Sequence, residues 1–189
     1  MRRSRADSAE THRRIVAEAS RQFRAHGIAG VGVADIMGAL GLTVGGFYRH
    51  FESKDALVAE AIDAASNETT GRHAARLTAA PRELAAVEVV ERYLSQEHCD
   101  APAHGCPVAA LCSEIAHENP SSRAAFTRAL KAMLETTRLA LPGDTPTARD
   151  ARLRAAASMV GAVVLARASD DRALSSEILS AVREGLRQP

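Results

Sequence analysis

Hydrophobic residues recur at every third or fourth position along most of the chain, a spacing that predicts amphipathic α-helices. The first stripe predicts a helix over about residues 8–26, and its members are Ile15, Val16, Ala19 and Phe23. Asp7 followed by Glu10 resembles a capping arrangement at its start, and Gly27 is placed to end it.

Two short helices are predicted next. The stretch VADIMGALGL predicts one over about 33–40, and Gly41 after it permits the left-handed backbone of a sharp turn. The other covers about 44–50, with Thr43 as its cap. A helix, a short helix, a glycine turn and a further short helix make the helix-turn-helix arrangement.

The remaining pattern also predicts helices. A fourth covers about 54–77, with Ser53 as its cap, and five more lie near 82–98, 107–118, 121–140, 149–168 and 172–187. Breaks are expected at Pro81, at CDAPAHGCP, at Pro120 and at PGDTP (142–146). The predicted fold class is all-α with about nine helices: a three-helix helix-turn-helix head over residues 1–54, and a larger helical body over residues 55–189.

Composition indicates the class of protein and the compartment to expect. Of 189 residues, 46% are hydrophobic and 25% are charged, which is ordinary for a globular protein. The basic start MRRSRADSAE is not followed by an apolar core, and the run MVGAVVLA at 159–166 is too short to cross a bilayer. Three cysteines, an odd number, do not make a disulfide scaffold. We therefore expect a cytoplasmic protein.

Charge is distributed unevenly along the chain. Residues 1–54 contain nine Lys/Arg and five Asp/Glu, a net +4, whereas residues 55–189 contain fifteen and eighteen, a net −3. A basic first quarter on a mildly acidic body favours contact with a polyanion. A solvated surface is the alternative, and charge alone does not decide between the two.

Aromatic residues concentrate in the stretch GLTVGGFYRHFESKDAL at 41–57. The chain has no Trp, four Phe and two Tyr, yet Phe47, Tyr48 and Phe51 fall within five residues. Phe47 and Phe51 are four apart and share one helix face, which predicts that they pack in the core. Tyr48 falls on the other face.

A helix in the DNA major groove must offer donors to phosphates and base edges. Tyr48 can donate its phenol to a phosphate, and Arg49 is the long forked donor suited to a guanine edge. His50 and Lys54 are placed for phosphates, Lys54 beside a helix N-terminus that itself favours an anion. Thr43 can offer its hydroxyl to the same strand.

Gly45 and Gly46 remove two side chains from this helix, which would let its backbone approach DNA closely. The alternative is a packed turn whose aromatic residues are core and whose cations are merely exposed.

These residues resemble the DNA-binding head of the TetR family of transcriptional regulators. The strongest marks are FYRHF, the SK after it and the ADIM…LGL helix before it. The likeness covers about residues 8–62, and length and helical layout extend it loosely over the whole chain. It implies a homodimer, not an enzyme, that binds a palindromic double-stranded DNA operator, usually as a repressor, with neither cofactor nor metal.

The resemblance also implies roles for individual residues. In the family, positions matching Thr43, Tyr48, His50 and Lys54 touch phosphates, and the position of Arg49 commonly faces bases.

This sequence departs from the family pattern at three positions. Val44 stands where a polar or basic residue is frequent, Gly46 where Ser or Thr is usual, and Gly32 in place of the Thr/Ser cap of the second helix. Base reading is therefore expected to depend on Arg49, on DNA shape and on the basic arm formed by Arg2, Arg3 and Arg5.

The last two predicted helices carry apolar stripes. Their members are Leu153, Ala156, Val160, Val163 and Val164, then Leu174, Ile178, Leu179, Val182 and Leu186. Ala157 and Gly161 would let another helix come close. In the proteins it resembles these helices pair across a two-fold axis, so we expect dimerisation through about 149–187, with internal core as the alternative.

The resemblance places an effector cavity among the middle helices, for a small molecule that the sequence does not identify. Its candidate lining residues cannot be told from ordinary core by sequence, and they are Tyr93, Leu94, Val108, Leu111, Phe126 and Met133.

The segment HCDAPAHGCPVAALCSE at 98–114 contains all three cysteines. Pro107 suits the first turn of a helix, which places Cys106 at or beside the N-cap, where bare N–H groups would stabilise a thiolate. Cys112 lies about 9 Å further along that helix, beyond the roughly 7 Å limit for a bridge. Cys99 sits across a loop and could reach Cys106.

Several interpretations of this segment stay open. Cys106 is a small buried structural residue, or it is a redox- or electrophile-sensing thiol together with Cys99. Sensing is favoured by a GC…L…E element similar to that of some TetR-type sensors, here Gly105, Cys106, Leu111 and Glu114. A metal site would use His98, Cys99, His104 and Cys106. The alternative function is a Cys/His-dependent hydrolase or transferase, with His104 or His117 as base.

Overall fold

The computed structural model describes residues 5–79, 82–140 and 145–187, and every regular element in those ranges is helical. The predicted all-α fold class is therefore confirmed. Arg2 and Arg3 of the predicted arm, the break at Pro81 and most of PGDTP lie outside the described residues. Among the described helices, none combines the length and the apolarity needed to cross a membrane.

Ten α-helices and one 3₁₀ turn, at Pro102–His104, follow one another in the described residues. The helices are α1 (Arg5–His26), α2 (Val33–Ala39), α3 (Val44–Phe47), α4 (Lys54–Ala79), α5 (Arg82–Tyr93), α6 (Gln96–Asp100), α7 (Pro107–Ile115), α8 (Pro120–Ala140), α9 (Pro146–Ala168) and α10 (Arg172–Arg187).

Helix α1 starts earlier than predicted. It already includes Arg5, so the expected cap at Asp7 is wrong: Asp7 lies inside the helix, and its carbonyl accepts a hydrogen bond from the Thr11 hydroxyl at 2.8 Å. The stop at Gly27 is confirmed, since its φ is +79° and its N–H donates to the Phe23 carbonyl at 2.9 Å.

Helices α2 and α3 are separated by the predicted left-handed turn, where Gly41 has a φ of +67°. Helix α3 is shorter than the predicted 44–50. Its α-helical geometry ends at Phe47, and the following turn tightens so that the His50 N–H donates to the Phe47 carbonyl at 2.8 Å. Two glycines among four helical residues explain the short length, because glycine is a poor helix former.

The predicted helix over 82–98 is two helices, which makes ten rather than nine in the described residues. Ser95 interrupts it with an extended backbone. Its hydroxyl donates to the Arg92 carbonyl at 2.8 Å and accepts from the His98 N–H at 3.1 Å. A side chain that bonds to the backbone on both sides competes with the continuous helical ladder.

One hydrophobic core runs through the predicted head and the predicted body. Helix α4 packs against α1 and along α8, while α9 packs against α10. Fully buried residues come from both parts and include Phe23, Ile36, Phe47, Leu57, Leu94 and Met159. Each such side chain stabilises the fold by about 1.5–3 kcal/mol, so α4 fixes the helix-turn-helix unit to the rest of the chain.

Candidate nucleic-acid interface and body cavity

The aromatic stretch divides into core and surface, as predicted. Phe47 and Phe51 are 0% and 4% exposed, and their stacked ring centroids lie 5.2 Å apart. His12 of α1 also stacks on Phe51, at 4.4 Å, and its Nε2 lies 2.7 Å from the Glu60 carboxylate. Tyr48, by contrast, is 66% exposed and meets Phe47 edge-on. The buried rings therefore fix α3 while the Tyr48 phenol stays on the surface.

The other predicted contacts of α3 are accessible too. Thr43 and Arg49 are exposed, and His50 is half-buried. Thr43 is the N-cap of α3, yet its hydroxyl makes no capping hydrogen bond, so it is available to an external acceptor. The Arg49 guanidinium forms no hydrogen bond or ion pair within the described part of the chain.

Neither glycine of α3 is required by the fold of the protomer. Neither has a positive φ. A Cβ at Gly45 would meet nothing within 4 Å, and one at Gly46 would make ordinary contacts, at 3.6 Å to Thr43 Oγ1 and 3.7 Å to Met37. Alanine would fit at both positions and would favour the helix. The two missing side chains therefore suggest a close approach from outside the protomer.

Lys54 is turned toward the protein. Its Nζ donates to the Ile28 carbonyl at 2.6 Å and lies 5.9 Å from the centroid of the Phe23 ring. Glu114 of α7 holds the same segment, since its Oε2 accepts from the N–H groups of Ile28 at 2.8 Å and Ala29 at 3.1 Å. The loop after α1 is therefore clamped between α4 and α7.

The sequence signal for this clamp is weak, because an acidic residue near the end of a predicted helix is an ordinary surface feature. Gly27 also bears on this clamp, apart from its role in ending α1. A Cβ there would lie 2.5 Å from Glu114 Oε1, so a larger residue would displace this carboxylate in addition to straining the left-handed backbone.

Arg24 joins α1 to the body at another point. Its side chain is 1% exposed. Nε donates to the Ser20 carbonyl at 3.0 Å, Nη1 to the Gly105 carbonyl at 2.9 Å and Nη2 to the Glu68 carboxylate at 2.7 Å. Burial lowers the pKa of Arg24, and the Glu68 carboxylate opposes that shift. The contact ties α1 to the turn that precedes α7.

A cavity of about 180 Å³ lies in the body, between α4, α5, α7, α8 and the segment around α6. Of the candidates suggested by sequence, Tyr93, Val108 and Met133 line it, whereas Leu94 and Leu111 belong to the solid core. Four lining threonines were not singled out by sequence, and they are Thr69, Thr70, Thr136 and Thr137.

His98 is fixed in the cavity wall as a neutral imidazole. Its Nδ1 lies 2.7 Å from the Tyr93 carbonyl, and its Nε2 accepts the backbone N–H of Cys106 at 3.1 Å. A backbone N–H can only donate, so Nε2 carries no proton and Nδ1 donates to the carbonyl. Burial is the main cause that lowers the pKa of His98 to about 4, which keeps this form at neutral pH.

Cys106 is the N-cap of α7, as predicted, and it is 9% exposed and lines the cavity. All three cysteines are free thiols. Burial, with the neighbouring Cys106, raises the pKa of the Tyr93 phenol. Cys99 is 5% exposed, and burial raises the pKa of its thiol.

This geometry does not support the metal-site interpretation or the Cys/His enzyme interpretation. Both ring nitrogens of His98 are engaged by the backbone, and the described residues contain no group of three His, Cys, Asp or Glu side chains able to hold a metal. Within the described ranges, no hydrogen bond joins the Cys106 thiol to His104 or His117.

Helices α2 and α3, with the left-handed turn at Gly41 between them, form a helix-turn-helix unit with exposed donors on α3. Residues 15–61 match the family described as bacterial regulatory proteins, tetR family. This part of the chain is therefore similar to the DNA-binding part of that family, and the proteins compared below are named as transcriptional regulators.

A curated relative is the "Probable HTH-type transcriptional regulator ArpR" of Pseudomonas putida, which is 33% identical over 96 residues. The match covers 51% of this chain and 45% of ArpR, so this chain spans less than half the length of that relative.

Two solved structures match over nearly the whole chain. A TetR transcriptional regulator from Chloroflexus aurantiacus is 29% identical, with a TM-score of 0.77 over 96% of this chain and 94% of that one. The reduced form of Escherichia coli NemR is 16% identical, with a TM-score of 0.79 over 94% and 95% of the two chains. The NemR likeness shows the fold alone.

Proposed function

We propose that this protein is a transcriptional repressor that binds a palindromic DNA operator as a homodimer and releases it when the body receives a signal. The observation that carries the proposal is the placement of α3. Phe47 and Phe51 bury one face of this helix, and the exposed Tyr48 and Arg49 occupy the other. A recognition helix needs this division between packing and contact.

The proposed contacts follow from chemistry and exposure. Arg49 reads a guanine edge, while Thr43, Tyr48 and His50 contact phosphates. Lys54 uses one N–H of its ammonium group for the hydrogen bond to the Ile28 carbonyl and has two more. It can therefore bind a phosphate beside the start of α4 while it keeps the bond to Ile28. Gly45 and Gly46 admit the DNA backbone close to α3.

Residues 1–54 would form the DNA-binding domain, and residues 55–189 the effector-binding and dimerisation domain. Support for dimerisation comes from apolar surface on the last two helices, where Leu153, Leu165 and Leu174 are 42%, 59% and 45% exposed. A Cβ at Gly161 of α9 would meet no atom within 4 Å, so the protomer leaves room there for a partner helix. We propose that α9 and α10 pair with the same helices of a second copy.

A dimer places two copies of α3 in successive major grooves, about 34–36 Å apart. The affinity therefore depends on the distance between the two heads. A signal that tilts α4 or α7 changes this distance and lowers affinity for the operator.

The DNA contacts are tested by selecting bound sequences from a random duplex pool and titrating the selected site with variants. Arg49→Ala is expected to relax sequence preference, whereas Lys54→Ala weakens all sequences alike and reduces the salt slope by about one. Arg123→Ala, an exposed arginine of α8, is the matched control and should leave both unchanged. Unchanged operator affinity in the first two variants would show that the assigned surface is wrong.

The signal is either a small molecule in the cavity or modification of a cysteine there. Cys106 lines the cavity at the start of α7, which makes it the favoured thiol over Cys99. N-ethylmaleimide tests this, because its double bond takes up the thiol sulfur and proton and leaves a bulky adduct. We expect treated protein to release DNA, and Cys106→Ser to prevent that release while Cys112→Ser does not. Release that persists in Cys106→Ser would remove Cys106 as the sensor.

A further inference from the structure

Among the described residues that line the cavity, Tyr93 has a buried hydroxyl whose one polar neighbour is the weakly bonding thiol of Cys106. Tyr93 is 6% exposed and lines the cavity. Its hydroxyl makes no hydrogen bond of normal geometry to any described residue. The thiol of Cys106 is its neighbour, and a thiol is a weak acceptor. An unpartnered buried hydroxyl is unfavourable, so an acceptor placed against it would stabilise the site.

Most of the other polar groups of the inner wall are occupied, and the exception is the hydroxyl of the buried Ser66. Both nitrogens of His98 bond to the backbone, so this histidine is neutral and has nothing to offer a ligand. The threonine hydroxyls donate to carbonyls of their own helices, at 2.9 Å for Thr69, 2.8 Å for Thr70, 3.1 Å for Thr136 and 2.8 Å for Thr137. Each hydroxyl has one proton, so these residues can only accept from a ligand.

Charged residues of the lining lie toward solvent, and most of them have partners. The side chains of Arg72 and Arg92 are 39% and 50% exposed. They lie 3.7 Å from Glu68 and 3.2 Å from Glu88 respectively. Glu97 is exposed, and His73 has an interaction of its own.

Beyond this rim the wall is largely apolar, with Val89, Val108, Ala129, Met133 and Met159. The nearest buried cation, Arg167, acts on the Tyr93 phenol but does not line the cavity. An ionised ligand entering the interior would therefore lose hydration and gain no direct ion pair there.

The volume limits the size of the occupant. The cavity holds about 180 Å³, and a 150 Å³ apolar cavity is large enough for benzene. A molecule of about ten non-hydrogen atoms is therefore the scale of ligand that this space admits.

We propose that the cavity takes a small, uncharged, mainly apolar molecule whose single oxygen acceptor receives a hydrogen bond from the Tyr93 hydroxyl. The oxygen is of the carbonyl kind, because the groups it would meet inside are the O–H donors of Tyr93 and Ser66. This deepens the proposed function, on which the regulatory meaning of the site rests.

Three probes of similar size test the chemistry on the full-length protein by calorimetric titration: acetophenone, ethylbenzene and benzoate. Acetophenone has the oxygen acceptor, ethylbenzene lacks it, and benzoate is an anion. We expect acetophenone to bind about tenfold more tightly than ethylbenzene, the effect of one buried hydrogen bond. Benzoate should bind more weakly than either.

Tyr93→Phe removes the hydroxyl and keeps the ring. We expect this variant to bind acetophenone and ethylbenzene equally, while Thr127→Val, which removes an exposed hydroxyl of α8 outside the lining, keeps the tenfold preference. Because the one polar neighbour of the Tyr93 hydroxyl in the free protein is a weakly bonding thiol, the melting temperature of Tyr93→Phe should stay close to that of the wild type.

The proposal is overturned if acetophenone shows no preference over ethylbenzene, if the preference survives Tyr93→Phe, or if benzoate binds most tightly. DNA binding is measured on the same samples. Acetophenone that binds with the expected preference but leaves the operator bound would support this ligand class and count against release by an effector. Failure of the free protein to bind DNA would reject the proposed function alone.

Discussion

The carboxylate of Glu114 lies 2.8 Å from the backbone nitrogen of Ile28, so a residue of α7 caps the loop that follows α1. At its opposite end α7 begins beside Cys106, which lines the cavity. The helix has nine residues and is about 13 Å long. A single short helix thus connects the cavity wall to the base of the predicted DNA-binding head.

Replacing Glu114 tests this connection. Glu114→Ala leaves the N–H groups of Ile28 and Ala29 without their charged acceptor, and we expect a loss of about 2–3 kcal/mol in the free energy of unfolding. Glu114→Gln keeps one neutral acceptor and should lose about 1 kcal/mol. Urea unfolding measures both, with Glu118→Gln in the following turn as the matched control. Equal stability of Glu114→Ala and wild type would contradict the role of this carboxylate.

Stability should depend on pH through His98. Its pKa is about 4 in the folded protein against 6.5 ordinarily. As the pH falls, His98 is therefore protonated in the unfolded chain before it is protonated in the folded protein. The contribution of neutral His98 to the free energy of unfolding is fully present above about pH 6.5. It is lost progressively down to pH 4, by about 3 kcal/mol in all. Urea unfolding at pH 7, 6 and 5 should show this loss in wild type and in His117→Gln, an exposed control, and a much flatter profile in His98→Gln.

Gly45→Ala should change stability and DNA binding in opposite directions. The added methyl group meets no atom of the protomer, so helix propensity should raise the free energy of unfolding by about 0.5–1 kcal/mol. If DNA approaches this position, operator affinity falls. Thermal unfolding and operator titration measure the two effects. Gly71→Ala, at an open position on α4, should be stabilised without any change in DNA affinity, and equal affinities in both variants would argue against close DNA approach at Gly45.

Gly161→Arg is expected to break the proposed dimer and to leave the protomer folded. A side chain there has open space within one protomer, whereas an arginine would place bulk and charge between two paired helices. We expect the dimer dissociation constant to rise about 100-fold, equivalent to about 3 kcal/mol. Light scattering after size-exclusion chromatography measures the mass, and circular dichroism checks the fold. Gly71→Arg is the control, and a dimer unaffected by Gly161→Arg would place the interface elsewhere.

Features set by local sequence could be predicted well. Helical periodicity, the glycine turn at Gly41, the buried pair Phe47 and Phe51, and the N-cap position of Cys106 all depend on residues within a few positions of one another. Ser95 is a local feature that was missed, because a serine is tolerated within helices and its capping geometry depends on where the chain turns next.

Features that depend on distant segments could not be predicted. Lys54 was expected at a phosphate, but its amine also reaches the Ile28 carbonyl, 26 positions earlier in the chain. Arg24 meets Gly105 across 81 positions. The lining of the cavity could not be separated from core for the same reason. A hydrophobic residue such as Leu94 fits the hydrophobic pattern of its helix equally well whether it faces a cavity or packs against another side chain.

The hydrogen bonds of Arg24 matter for chimaeras that join this head to a different body. Its guanidinium is satisfied by Ser20 from its own helix, by Gly105 and by Glu68, so two of its three acceptors belong to the predicted body. A chimaera that grafts residues 1–54 onto another body would bury this charge without those acceptors, a strongly destabilising change. An engineered sensor that joins this head to a body without such acceptors must therefore import Glu68 and the turn at Gly105 as well.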